Sequence, residues 1–148
     1  MNILLATRNP NKVREIRAIL PNLPDVVWRT AEEFRSVTEP DETGETFEEN
    51  AIKKARAVAR KKGKIAIADD SGLIVNCLGG KPGVKSARYA SPPTPKNLCR
   101  KLLKATVDCK ARGARFVCVI AIAYPSGKVR TVKGVVRGRI IREMRGKN

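Results

Sequence analysis

Two hydrophobic periods run through this chain, and their order predicts an α/β fold. Ile3 to Ala6 is a short apolar run that predicts a buried first strand, and it stops at the turn-rich Thr7-Arg8-Asn9-Pro10-Asn11. From Lys12 to Leu20 the apolar residues Val13, Ile16, Ile19 and Leu20 recur at helical spacing, and Pro21 closes that helix. Val26, Val27 and Trp28 predict a second short strand. Strand, polar turn, helix, strand is the opening of an α/β protein.

The middle of the chain repeats that alternation. Thr46-Phe47-Glu48-Glu49 fits a capping box, in which Thr46 caps the helix and Glu49 reaches back to its amide. Phe47, Ala51, Ala55 and Val58 then mark the apolar face of a helix ending near Lys62, with Gly63 as its stop. The opposite face reads as Lys and Arg, at 53, 54, 56, 60, 61 and 62. Lys64 to Ala68 predicts a strand that runs into Asp69-Asp70-Ser71-Gly72, a turn sequence, before Leu73 to Cys77 resumes an apolar pattern. Gly79 to Gly83 and Ser91 to Pro95 are loops. Lys96 to Ala105 predicts a helix with Leu98, Leu102 and Ala105 inward. Phe116 to Tyr124 predicts a central strand, which Pro125-Ser126-Gly127-Lys128 turns back into an antiparallel partner, Val129 to Val136. No repeat and no linker divides the chain, so residues 1–148 read as a single domain.

Composition narrows the chemistry. Hydrophobic residues make up 42% of the 148, enough for a packed core, but aromatics only 4%, so that core is built from Val, Ile, Leu and Ala. There is no histidine. That excludes Ser-His-Asp and Cys-His catalysis, HExxH metalloproteases and His-containing zinc sites. Hydrolysis here must use carboxylates, lysines, hydroxyls or a metal held by oxygen. The formal charge is +17, and it is uneven: residues 1–50 carry 6 basic and 10 acidic side chains, residues 51–148 carry 25 and 4. Such a field attracts polyanions, whether nucleotide, nucleic acid or acidic membrane, although a lysine-rich soluble surface explains much of it. Cys77, Cys99, Cys109 and Cys118 show no C-x-x-C spacing and read as four reduced thiols. With no secretory leader and no stretch of about 20 apolar residues, the protein reads as soluble and cytoplasmic, with no membrane partner.

Three places can carry chemistry. Asp69-Asp70 puts adjacent carboxylates after an apolar strand, where alternation sends only one of them toward a given cleft. Such a carboxylate suits Mg²⁺ or proton abstraction from water, and equally suits an ordinary Asp-Ser-Gly turn. Thr7 to Lys12 offers a helix N-terminus with free amides, a natural phosphate site, or simply a capped helix. Asp41-Glu42-Thr43-Gly44-Glu45 can supply a further metal ligand or be a solvated loop. The basic run from 53 to 64 has no interleaved aromatics and so does not indicate a base-stacking surface.

Taken in order, the segments resemble one family. Leu5-Ala6-Thr7-Arg8-Asn9-Pro10-Asn11-Lys12-Val13-Arg14-Glu15 is followed by Glu42-Thr43-Gly44-Glu45-Thr46-Phe47-Glu48-Glu49-Asn50-Ala51 and Ala68-Asp69-Asp70-Ser71-Gly72-Leu73. Then come Leu78-Gly79-Gly80-Lys81-Pro82-Gly83-Val84-Lys85-Ser86-Ala87-Arg88-Tyr89-Ala90 and Ala114-Arg115-Phe116-Val117-Cys118-Val119. These resemble the inosine/xanthosine triphosphate pyrophosphatases.

The resemblance implies an elongated mixed β-sheet flanked by helices, two lobes with a central cleft, and a homodimer. It implies hydrolysis of ITP, dITP or XTP to a nucleoside monophosphate and pyrophosphate, with Mg²⁺ as cofactor and a purine nucleoside triphosphate as substrate. Thr7, Arg8, Asn9, Pro10, Asn11 and Lys12 would hold the triphosphate, and Ser71 would touch substrate. Asp70 would be general base and metal ligand. The other metal-binding acid falls at Asp41, with Glu42 and Glu45 as alternatives. The family continues with a Phe-Gly-Tyr-Asp stretch and a Ser-His-Arg motif that recognise the base, and the expectation is that this C-terminal portion is missing here. A second reading follows, in which the chain is a catalytically impaired fragment that binds nucleotide or nucleic acid through its basic surface.

Overall fold

The computed structural model describes residues 1–7, 9–20, 24–30 and 40–146. Its elements alternate as the pattern predicts. They are β1 (Asn2–Leu5), α1 (Pro10–Ile19), β2 (Val27–Thr30), α2 (Phe47–Lys62), β3 (Ile65–Val75), α3 (Pro95–Ala105), β4 (Gly113–Ala123) and β5 (Val129–Arg139). Two short 3-10 helices, Asn76–Leu78 and Gly83–Arg88, lie between β3 and α3. The strands form one sheet in the order β2-β1-β3-β4-β5. β1 pairs in parallel with both β2 and β3, Leu4 lying opposite Arg29 and Ala66. β4 and β5 are joined by a turn that Tyr124 N–H closes onto Lys128 O at 2.9 Å, too short a link for a parallel crossover, so this pair is antiparallel and the sheet is mixed. Among the described residues no helix is long and apolar enough to cross a membrane.

Two compact units divide the chain: residues 1–70 with 119–132, and residues 71–118 with 133–148. The core of the first is Leu4 and Leu5 from β1, Phe47, Ala51, Ala55, Val58 and Ala59 from α2, Ala66 and Ala68 from β3, and Val119, Ala121 and Ala123 from β4. Aliphatic and small residues fill it, as the scarcity of aromatics requires. In the second unit Val75, Val117 and Thr106 are buried.

Helix α2 shows why local sequence suffices for some elements. Thr46 Oγ1 accepts from Glu49 N–H at 3.1 Å while Glu49 Oε2 accepts from Thr46 N–H at 3.3 Å, a complete capping box. Gly63 ends the helix with φ 60°, a left-handed conformation that disfavours any residue with a Cβ. Acids in the first turn and Arg60, Lys61 and Lys62 in the last complement the helix dipole.

Several expectations need correction. β3 does not stop at Ala68; it runs on through Asp69-Asp70-Ser71-Gly72 to Val75, so the acid pair lies within a strand and not in a turn. Burial of Ala66, Ala68, Gly72 and Val75 outweighs the turn preference of Asp-Ser-Gly. In α3 Ala105 is exposed and Leu98 and Leu102 are half-buried; the next inward position on their i+4 row is Thr106, whose hydroxyl is satisfied by Leu102 O at 2.9 Å. Ile19 is 80% exposed despite its helical spacing. Cys77 and Cys109 are joined in a disulfide with 6.1 Å between their Cα atoms, against the expectation of four thiols. They stand 32 residues apart, so spacing along the chain says nothing of their approach.

Replacing Thr46 with Ala removes one half of the capping box. The expected result is a loss of about 1 kcal/mol of stability, read as a lower urea midpoint at unchanged slope.

Candidate active site

Thr7, two residues past the end of β1, is buried, and its hydroxyl accepts from Asn9 N–H at 3.2 Å. Asn9 then caps α1, its side chain accepting from the backbone N–H groups of Asn11 at 3.0 Å and Lys12 at 3.4 Å. Pro10 occupies the first turn, where its missing N–H costs nothing. Asn11 accepts from Arg14 at 2.6 Å. Lys12 reaches back across the strand, and its ammonium donates to Asp69 Oδ2 at 2.5 Å. Arg8 lies outside the described residues. Polar side chains and backbone amides thus cluster where a buried strand gives way to a helix N-terminus.

Asp69 and Asp70 are 7% and 4% exposed. Strand alternation gives them different partners. Asp69 takes Lys12 from α1. Asp70 takes two residues of α2: Asn50 Nδ2 donates to its Oδ2 at 3.1 Å, and Lys54 Nζ to its Oδ1 at 3.3 Å. The Lys54 ammonium also donates to Glu42 Oε1 at 3.1 Å, so one cation is shared by two carboxylates. Asp69 Oδ1 is buried and has no hydrogen-bond partner.

Lys54 and Asn50 are what the sequence reading missed. Lys54 had been assigned to the outward basic face, yet it is 5% exposed and turned inward. A signal was there. Positions 47, 50, 51, 54, 55 and 58 share one stripe at i, i+3, i+4 spacing, and Asn50 and Lys54 are the polar members of an otherwise apolar stripe. A buried amide and a buried ammonium on such a stripe require partners.

Of the acidic loop, Glu42 is the residue brought to Lys54; Asp41 is exposed, its carbonyl accepting from Thr43 N–H at 2.9 Å. Ser71 is half-buried and follows Asp70 on β3. Among the described residues no group of three or more Asp, Glu or Cys side chains stands close enough to hold a metal. The assembled charges are Asp69, Asp70 and Glu42 against Lys12 and Lys54, an excess of one negative.

Burial disfavours the charged form of Asp70 and raises its pKa; the Lys54 charge and the Asn50 hydrogen bond pull it down, the Glu42 charge adds to the rise, and the net direction is upward. Burial pushes Lys54 toward neutrality, but the charges of Asp70, Glu42 and Asp69 and the Glu42 hydrogen bond outweigh it and hold the ammonium above its ordinary value. A buried carboxylate with a raised pKa, fixed by an amide and a cation, is a competent proton acceptor at neutral pH.

Comparison with known proteins shows the family. The profile of the Ham1 family matches residues 3–148. The chain belongs to the Ham1 family. It is 47% identical to the dITP/XTP pyrophosphatase of Bacillus licheniformis, spanning 99% of this chain and 76% of that protein. The dITP/XTP pyrophosphatase of Desulforamulus reducens is 46% identical over 99% of this chain and 74% of its own length. Among solved structures, a HAM1 protein from Coxiella burnetii superposes with a TM-score of 0.91 at 41% identity, covering 100% of this chain and 77% of that one. A nucleoside-triphosphatase/dITP/XTP pyrophosphatase from Mycobacterium abscessus does so at 0.87 and 36%, covering 100% and 78%. The motif resemblance is thus borne out as a family, and this Ham1 chain has the family's α/β fold with a mixed sheet.

Because folding raises the Asp70 pKa above 3.8, the folded protein holds that proton more tightly than the unfolded chain. The contribution of this group to stability is full below the ordinary carboxylate value and falls as pH rises through the raised one. Asn cannot ionise. Metal-free Asp70→Asn is therefore expected to be more stable than wild type at neutral pH, with the difference shrinking as pH falls toward 3.8. Paired urea titrations check this, and a less stable variant at neutral pH contradicts it.

Proposed function

We propose that this chain hydrolyses non-standard purine nucleoside triphosphates, dITP, ITP and XTP, releasing a nucleoside monophosphate and pyrophosphate. The observation that carries the reading is the buried Asp70, braced by Asn50 and Lys54, next in the strand to Asp69, which takes Lys12 from the N-terminus of α1. In a family whose relatives carry the name dITP/XTP pyrophosphatase, that pairing has a direct chemical use.

Asp70 accepts a proton from a water molecule as that water attacks the α-phosphorus. The bond from the α-phosphorus to the oxygen bridging to the β-phosphate breaks, and pyrophosphate leaves with the electron pair. The backbone amides of Asn11 and Lys12, the N-terminal dipole of α1 and the Lys12 ammonium bind the phosphate oxygens, with Thr7, Arg8, Asn9 and Pro10 shaping that turn. Ser71 contacts the substrate. No histidine is needed at any step.

The residues present fit Mg²⁺. Mg²⁺ asks for one or two carboxylates and fills its remaining positions with water and substrate phosphate. Asp70 and Glu42 are two hard oxygen donors already gathered around one ammonium, in a cluster with an excess negative charge, and Asp69 Oδ1 is buried without a donor. Asp70 and Glu42 would hold the ion, with the exposed Asp41 of the same loop as the alternative to Glu42. When bound, Mg²⁺ neutralises charge on the phosphate oxygens.

In this reading residues 1–148 act as one domain in a cytoplasmic homodimer. The basic surface supports a second reading, binding of nucleotide or nucleic acid without turnover. The unit of residues 71–118 and 133–148 carries 16 basic and 2 acidic side chains, whereas the acid pair lies in the other unit.

One experiment separates the two. Pyrophosphate release is measured from dITP, ITP, XTP and the standard triphosphates with Mg²⁺, for wild type and Asp70→Asn. The expected outcome is release by wild type and a fall of at least about a hundredfold in the variant, the usual scale for losing a general base. A folded wild type that releases nothing, yet binds RNA or DNA with a steep salt dependence that Asp70→Asn leaves unchanged, favours the second reading.

A further inference from the structure

Asn50 joins the acidic loop to Asp70 through one planar amide, alongside the Lys54 ammonium that touches Glu42 and Asp70. Its amide is 1% exposed, and every group it offers is used. The Oδ1 atom accepts from Gly44 N–H at 2.8 Å. The Nδ2 atom donates to Gly44 O at 3.4 Å and to Asp70 Oδ2 at 3.1 Å. On one side is the backbone of the acidic loop, and on the other the carboxylate proposed to take the proton.

The loop is built for this approach. A Cβ on Gly44 would stand 2.7 Å from Asn50 Oδ1 and 2.8 Å from Glu49 Cβ, closer than real Cβ atoms come. Gly44 is not in a left-handed conformation, so what glycine supplies here is room for the amide and not backbone freedom. Two residues earlier the same loop carries Glu42, whose carboxylate reaches the ammonium that also touches Asp70. Asn50 is itself fixed: it sits in the first turn of α2, with its N–H donating to Thr46 O at 3.2 Å, inside the capping box.

Lys54 cannot do this alone. An ammonium is a rotating donor on a flexible stem and attracts both carboxylates without fixing the orientation of either. A planar amide with one acceptor and two donors does fix orientation. We propose that Asn50 is a positioning residue which docks the Gly44 loop onto α2 and, with the same amide, sets the orientation of Asp70, so that Glu42 and Asp70 hold their carboxylates together at the one place the Lys54 ammonium bridges. The proposal rests on the functional reading above in assigning that place to a divalent metal.

Two variants test it. Asn50→Leu keeps the number and branching of the side-chain heavy atoms and removes all three hydrogen bonds. Gly44→Ala keeps Asn50 but puts a methyl group where its Oδ1 lies. The probe is Mn²⁺ alone, titrated into substrate-free protein and followed by electron paramagnetic resonance, alongside kcat and KM per folded molecule. Loss of a residue that orients a metal ligand costs about 10- to 100-fold in affinity or activity. The expected result is Mn²⁺ binding weakened about tenfold or more in both variants, with kcat falling and KM for triphosphate little changed. A merely structural amide lowers the melting temperature but leaves Mn²⁺ binding and kcat per folded molecule at wild-type values, and that result overturns the proposal. Should Asn50→Leu fail to fold, Gly44→Ala decides by the same two readings. The functional reading fails separately: a wild type that binds Mn²⁺ but releases no pyrophosphate defeats the enzyme assignment, while weakened Mn²⁺ binding in the variants still upholds the role of Asn50.

Discussion

The placing of everything around the site follows from the burial of two adjacent carboxylates within one strand. Asp69 and Asp70 are almost wholly out of solvent, between Ala68 and the half-buried Ser71. Neither can stay ionised there without a cation or several donors. Because successive side chains of a strand diverge, one lysine cannot serve both. The fold supplies two, Lys12 from the first turn of α1 and Lys54 from the second turn of α2. Both helices are therefore tied to β3 by charge as well as by apolar packing.

That constraint explains which features are legible in the sequence. The capping box of α2, its stop at Gly63, the parallel opening β1-α1-β2 and the hairpin of β4 and β5 all depend on contacts within a few residues, and their residue types announce them. The run of β3 through Asp-Asp-Ser-Gly is not local. Those residues favour a turn in isolation and are held extended by pairing and by partners 20 and 57 residues away. Lys54 failed for the same reason. Six basic residues among the last ten of α2 look like one solvated face, and only the position of Lys54 on the Phe47-Ala51-Ala55 stripe separates it from the rest. The disulfide between Cys77 and Cys109 is non-local again.

Candidate site residues divide along the same line. The motif resemblance led to Asp70 and to the turn from Thr7 to Lys12, because those residues are contiguous. It set Asp41 ahead of Glu42, and in this structure Glu42 is the one that accepts from Lys54. In the sequence Asn50 is simply one residue of the Glu42 to Ala51 motif. Its reason for being asparagine becomes visible once Gly44 and Asp70 are seen on either side of it.

Small residues make this arrangement possible. An asparagine side chain extends only two atoms beyond Cβ, so a hydrogen bond from Asn50 to a carboxylate on β3 requires the helix and strand backbones to approach closely. Ala51, Ala55 and Ala59 on α2 and Ala66 and Ala68 on β3 are all buried and carry nothing larger than a methyl group. Enlarging any of them would lift α2 and lengthen the 3.1 Å Asn50 contact before it disturbed the longer, more adaptable Lys54. The alanine-rich core is thus a geometric requirement of the site as well as a result of the chain having few aromatics. It also accounts for the division of labour between the two polar residues on α2. The short amide sets distance and orientation, and the long ammonium supplies charge to whichever carboxylates the amide has brought together.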